Sequence, residues 1–249
     1  MGGGAVVEDQ WRNDGRLTFP PIILTFLGRV MRHAIAILIL AFSVSIGVNR
    51  LCAETINIVA LGDSNTYGSG PGMGRTPGGV PMAEAYPAKL ERALRARGWD
   101  VSVSNQGVAG QSARDAVYSL DRRIPAGTKL TIIELGLNDR NWRNASPSDI
   151  ASSLAEIIRR VRAKGSAIIL VRQWPQSDEA TFAAVQQSAD AVVSWWFSDL
   201  WLPGEHGPRP EYDSGDHGHL NAAGTDVIVS RAVPDVERVL TQLGFRSNR

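Results

Sequence analysis

The chain has 249 residues, 43% of them hydrophobic and 20% charged, which suits a sizeable globular core rather than a small stapled scaffold. A formal net charge of +1, with no run of lysines or arginines, excludes the electrostatic footprint of a nucleic-acid binder. The single cysteine, Cys52, excludes an intrachain disulfide.

Residues 1–30, with three consecutive glycines and the stretch FPPIIL, carry no fold signal and read as an upstream extension. Met31-Arg32-His33 then precedes a 15-residue apolar run, AIAILILAFSVSIGV (34–48), with Ala53 as a plausible cleavage point. That run has the length of a signal-peptide core and is short for a membrane span of about 20 residues. The reading is a signal peptide over 31–53, with Met31 as an alternative start and Leu51 an imperfect residue before the cut. An uncleaved anchor is the competing reading. Export to the periplasm or beyond is expected, with membrane contact only through this segment. The residues before Cys52, Asn-Arg-Leu, lack the small side chains of a lipoprotein attachment site.

From 54 onward, short apolar runs alternate with amphipathic stretches. INIVAL (56–61) reads as a strand and ends abruptly in Gly62-Asp63-Ser64, followed by a glycine-rich loop over 68–79. AYPAKLERALRARG (85–98) reads as a helix, with Leu90, Ala93, Leu94 and Arg97 at helical spacing and Gly98 as its stop. VSVSN (101–105) is a second strand, ending in Asn105-Gln106-Gly107. LTIIEL (130–135) is a third, ending in Gly136-Leu137-Asn138-Asp139, which reads as a loop. The next helix spans SPSDIASSLAEIIRRVRAKG (146–165), with Ser146 as cap, Pro147 at the first turn, Asp149 on the helix dipole and Gly165 closing the end. AIILV (167–171) is a fourth strand. Residues 172–215 are the least legible, with a fifth strand expected around AVVSWWF (191–197) and a tryptophan cluster that reads as core. A last helix should begin near Asn221, with Pro234 kinking or dividing it.

Nearly continuous apolar strands alternating with helices predict an α/β fold with a mostly parallel sheet, covered on both faces, in a single domain over 54–249. In such a sheet, ligands sit beyond the carboxyl ends of the strands. The Gly62-Asp63-Ser64, Asn105-Gln106-Gly107 and Gly136-Leu137-Asn138-Asp139 clusters, with DHGHLN (216–221), should therefore meet at one rim. Their chemistry is complementary. A serine hydroxyl needs a neighbouring base, and a histidine base needs a carboxylate to fix its tautomer. Asp216 and His219, three residues apart, can form that pair locally. An oxyanion built on an acyl carbon needs preorganised donors, for which the N–H groups of Ser64 and Gly107 and the amide of Asn138 are candidates.

These four blocks resemble the SGNH hydrolases, also called the GDSL esterase and lipase family, over about residues 55–242. Block I matches Gly62-Asp63-Ser64, the block II glycine Gly107, block III residues 136–139, and block V residues 216–219. The helix between blocks I and II makes the chain most similar to the bacterial lysophospholipase, thioesterase and arylesterase branch. The resemblance implies a flavodoxin-like three-layer sandwich with Ser64 as nucleophile, His219 as base and Asp216 as its orienter. It also implies an oxyanion hole from Ser64, Gly107 and Asn138, and hydrolysis of carboxylic esters or thioesters through an acyl-enzyme. Lysophospholipid, aryl, acyl and acetylated-carbohydrate esters are all open as small-molecule substrates. Asn65 stands where the family name has leucine. Acyl transfer at the same site and a noncatalytic binding protein on the same fold are the competing functions.

Asp63 and Asp139 read as structural. His217, beside Asp216, and His206 are decoys, because adjacent residues in a turn diverge. Glu205, His206, Asp213, Asp216, His217 and His219 match no zinc spacing and would leave the serine block unexplained, so no metal is expected. GSGPGMG lacks the Gly-x-Gly-x-x-Gly register, and no dinucleotide or other cofactor is expected.

Overall fold

The structure, a computed structural model, describes residues 54–68, 79–173, 179–195, 199–202 and 207–249. The segment read as a signal peptide, most of the glycine-rich loop, Trp196, Phe197, Glu205 and His206 lie outside these residues. Residues 54–249 form one compact unit.

Five parallel strands, β1 (Ile56–Gly62), β2 (Val101–Gly107), β3 (Leu130–Glu134), β4 (Ala167–Val171) and β5 (Ala191–Val193), stand in the order β2-β1-β3-β4-β5. Their alternating side chains feed two separate cores. Ile58, Ala60, Ile132 and Ile169 point to one face, where they meet α2 (Tyr86–Ala96) and α7 (Ala222–Gln242) through Leu90, Leu94, Ile228 and Val236. Val59, Leu61, Ile133 and Leu170 point to the other, against α3 (Ala113–Arg123) and α5 (Pro147–Ala163) through Leu120, Leu154 and Ile157. The result is a three-layer α/β/α sandwich, the architecture that the resemblance implies. Each buried Leu or Ile contributes about 1.5–3 kcal/mol by leaving water, which explains why the central strands β1, β3 and β4 read as nearly continuous apolar runs, while the edge strand β2 alternates.

Three short helices complete the chain: α1 (Ser64–Tyr67), α4 (Leu137–Arg143) and α6 (Glu179–Val185). The 146–165 reading is matched closely. Ser146 and Asp149 form a reciprocal capping box, Pro147 opens α5, and Gly165 takes a φ of +79° beyond its end. One expectation is corrected and two are narrowed. The Gly136–Asp139 segment is not a loop, because Leu137 starts α4. The fifth strand is only Ala191–Val193 among the described residues. Pro234 lies inside one continuous helix and does not divide it. The buried row of Ile228, Val229, Ala232, Val233, Val236, Val239 and Leu240 along α7 outweighs the roughly 3 kcal/mol that an interior proline costs.

The strand order has a topological switch point between β1 and β3, where successive crossovers leave in opposite directions. Gly62 of β1 is in register with both Gly107 of β2 and Glu134 of β3. The three candidate clusters therefore leave the sheet at the same height.

Candidate active site

The serine turn is set by short-range chemistry. Asp63 caps α1, its Oδ1 accepting the Asn65 N–H at 2.9 Å, and this places Ser64 at the helix start. Gly62 has no room for a side chain: a Cβ there would lie 2.0 Å from Thr66 Oγ1 and 2.6 Å from Glu134 Oε2.

The histidine arrives from a turn that is almost self-sufficient. Asp216 Oδ1 accepts the N–H groups of Gly218 (3.0 Å) and His219 (2.9 Å) and the Ser214 hydroxyl (3.0 Å). Its Oδ2 is left facing His219 Nδ1 at 2.6 Å. The Ser214 N–H to His219 carbonyl bond and the Asn221 cap on α7 close the turn. Burial pushes the Asp216 carboxyl up, but the bond from His219 and the Gly218 N–H outweigh it and hold it below its ordinary value. His219 Nε2 then stands 2.8 Å from Ser64 Oγ, across 155 residues of chain. Ser64, His219 and Asp216 thus form a continuous hydrogen-bonded line. His217 diverges as its position suggests: its Nδ1 pairs with Asp213 Oδ2 at 2.8 Å, and its ring is 82% exposed.

The expected oxyanion donors are not all available. The Gly107 N–H is already given to Asn105 Oδ1 at 2.9 Å. A Cβ on Gly107 would lie 2.2 Å from Tyr67 N and 2.6 Å from Tyr67 Cα. The close approach that demands glycine here is to the backbone of α1, so Gly107 packs the serine turn against β2 and is not a donor to the rim. Gly110, three residues on with a φ of +72°, lines the cleft instead, and its N–H has no hydrogen-bond acceptor among the described residues. The spacing of glycines in NQGVAGQS contained that signal, but nothing local distinguishes the two. Ser64 N–H likewise has no acceptor among the described residues. Asn138 also lines the cleft, but its Nδ2 is engaged with Gln111 O at 3.0 Å and Asp63 Oδ2 at 3.2 Å.

Asp139 is structural, as expected: its two oxygens accept the Ala113 and Arg114 N–H groups at 2.6 and 3.2 Å and cap α3 with Ser112. Above the line of residues opens a cleft of about 590 Å³, with the indole of Trp142 78% exposed in its wall beside Arg143. Trp142 was not legible as a site residue, because an exposed tryptophan has no periodic signature.

The sequence profile of the GDSL-like lipase/acylhydrolase family matches residues 60–227, and the chain belongs to that family. It is 29% identical over 94 residues to an arylesterase of Vibrio mimicus and 28% identical over 97 residues to the esterase TesA of Pseudomonas aeruginosa. Each alignment covers 37% of this chain and 46% of the relative, so the match spans just under half of those proteins. Among solved structures, the SGNH-hydrolase family esterase AlinE4 aligns with a TM-score of 0.51 at 26% identity, covering 76% of this chain and 98% of that one.

Proposed function

We propose that this member of the GDSL-like lipase/acylhydrolase family is a serine-dependent carboxylic-ester hydrolase that works through an acyl-enzyme on Ser64. The observation that carries the reading is the unbroken line from Asp216 Oδ2 through His219 to Ser64 Oγ, with contacts of 2.6 and 2.8 Å. In the first step Ser64 Oγ bonds to the ester carbon while its proton passes to His219 Nε2. Asp216 fixes the tautomer that leaves Nε2 free to accept it and stabilises the imidazolium that results. The tetrahedral intermediate collapses as the carbon–alkoxide bond breaks and His219 returns its proton to the leaving oxygen. Water then repeats the sequence on the acyl-enzyme and frees the acid.

The negative oxygen of the intermediate faces the N–H groups of Ser64 and Gly110, neither of which is committed to another described residue. Asn138 joins them by turning one hydrogen from its longer bond, that to Asp63, toward the full charge of the oxyanion. Trp142 gives the aryl or acyl part of a small-molecule ester an apolar wall.

The test is labelling of the full chain with a fluorophosphonate, followed by peptide mapping. An adduct on Ser64 that is lost in His219→Ala is expected; a folded protein with no adduct overturns the reading. We also propose export through the apolar run 34–48. N-terminal sequencing of the protein from the extracytoplasmic fraction should begin at Glu54, and recovery of the intact chain from the cytosol alone would refute it.

A further inference from the structure

Beneath the serine turn lie two carboxyl groups that the steps above do not use. Glu134, the last residue of β3, is 0% exposed and Asp63 is 1% exposed. Both carboxyls meet the same amide nitrogen, and the Asp63 N–H reaches Glu134 Oε2 at 3.4 Å. The Gln173 amide, at the end of β4, bridges them: its Nε2 donates to Asp63 Oδ2 at 3.0 Å and to Glu134 Oε1. Its orientation is fixed because its own Oε1 accepts the Leu137 N–H at 3.1 Å. Glu134 Oε2 accepts the Thr66 hydroxyl at 2.7 Å and the Asp63 N–H at 3.4 Å.

Among the described residues no cation is bonded to either carboxyl. The guanidinium of Arg123 approaches from α3, but it donates to the carbonyls of Gly62 and Gln106 and to Gln111 Oε1. The other titratable groups facing the pair are the buried phenol of Tyr86 on α2 and the imidazole of His219 at the rim. Two like charges sealed together with no paired cation are strongly disfavoured, and such a site keeps a proton instead.

We propose that Glu134 is a protonated acid at neutral pH and donates its hydrogen to Asp63, which makes it a positioning residue for the serine turn. With Glu134 neutral, the pair carries a single negative charge, on Asp63. That carboxylate accepts Asn65 N–H through Oδ1 to hold the start of α1, and accepts Asn138 and Gln173 through Oδ2. Loss of the Glu134 proton would set two charges against each other directly under Ser64 and push Asp63 out of the turn. Burial is the largest cause raising both carboxyls, to about 6 for Asp63 and well above the usual range for Glu134. What is positioned rests on the reading of Ser64 as nucleophile; whether the proton is there does not, and neither measurement below requires turnover.

The experiment is infrared spectroscopy of the full chain at pH 7.5, with and without carboxyl-labelled glutamate, together with thermal unfolding of wild type and Glu134→Gln from pH 5 to 8. A protonated-carboxyl band that shifts with labelled glutamate is expected in wild type and should vanish in the variant. Because folded Glu134 keeps a proton that the unfolded chain releases above its ordinary value of 4.5, wild type loses stability as pH rises through this range. Glutamine has no proton to keep. The Tm difference, variant minus wild type, should therefore climb by about 3–5 °C per pH unit until the folded Glu134 itself ionises. The bond from Gln173 that the variant loses adds only a pH-independent offset. No glutamate-derived band, or a Tm difference that stays flat or falls with pH, would overturn the proposal. If the variant does not fold, the band in the unaltered protein decides alone.

Discussion

The two ends of the Ser64–His219–Asp216 line are built in opposite ways. The Asp216–His219 turn is a local device: within 213–221, Asp213 and Asp216 each collect nearby N–H groups, and no distant strand is needed to aim the imidazole. The Ser64 turn is a tertiary device. It is held from below by Glu134 of β3 and Gln173 beyond β4, and from the side by Asn105 and Gly107 of β2, which grip the last turn of α1. Placing His219 takes one loop; placing Ser64 takes four strands. On the proposed function, damage at the His219 end should therefore remove ester turnover with the fold intact, whereas damage beneath Ser64 should cost both.

The largest expected effect is at the one atom where the two ends meet. Ser64→Ala should lower ester turnover by about 10⁴-fold or more with an unchanged Tm; retained turnover would separate the line of contacts from the chemistry. Next is Asp216→Asn, which keeps an oxygen for the Gly218 and His219 N–H groups but loses the carboxylate facing Nδ1. A fall in kcat of about 10⁴-fold with little change in Tm is expected, and a large loss of Tm would show that the base end is not the self-contained unit described. Asn138→Ala should reduce kcat by about 10²–10³-fold; a change under about threefold would leave the Ser64 and Gly110 N–H groups as the whole oxyanion hole.

Gly107→Ala tests the other end. Its Cβ would sit against the Tyr67 backbone, so a loss of about 3 kcal/mol is expected, a fall in Tm of about 10 °C. An activity defect without a stability defect would restore Gly107 to the rim. The smallest effect is in acid. The Asp216 carboxyl is held below its ordinary value of 3.8, so its stabilising contribution is present above that pH and lost as pH falls through the lower folded value. Below about pH 4, Asp216→Asn should lose Tm less steeply than wild type, and parallel curves would deny the Asp216–His219 bond any part in stability.

The same contrast explains what could be read in advance. Asp216 and His219 are legible because three residues in one turn bring their side chains together whatever the rest of the chain does. The core strands and α5 are legible because apolar periodicity and a capping box act within a dozen residues. The helix over 137–143 is not legible because Gly-Leu-Asn-Asp has no apolar repeat. That Gly110 lines the cleft while Gly107 gives its N–H to Asn105 is not legible, because two glycines three residues apart offer the same local signal.

By itself, then, the amino-acid sequence determined the parallel sheet, the serine at the strand tip and the histidine–aspartate pair, since hydrophobic alternation and short-range hydrogen bonding are properties of neighbouring residues. Only the tertiary structure decided which glycine packs and which one faces the cleft, that Asn138 already spends its hydrogens on Gln111 and Asp63, and that Glu134 and Asp63 lie sealed together. Those are matters of register between β1, β2 and β3, and register is fixed by burying both faces of the sheet at once, a condition no single segment of the chain can express.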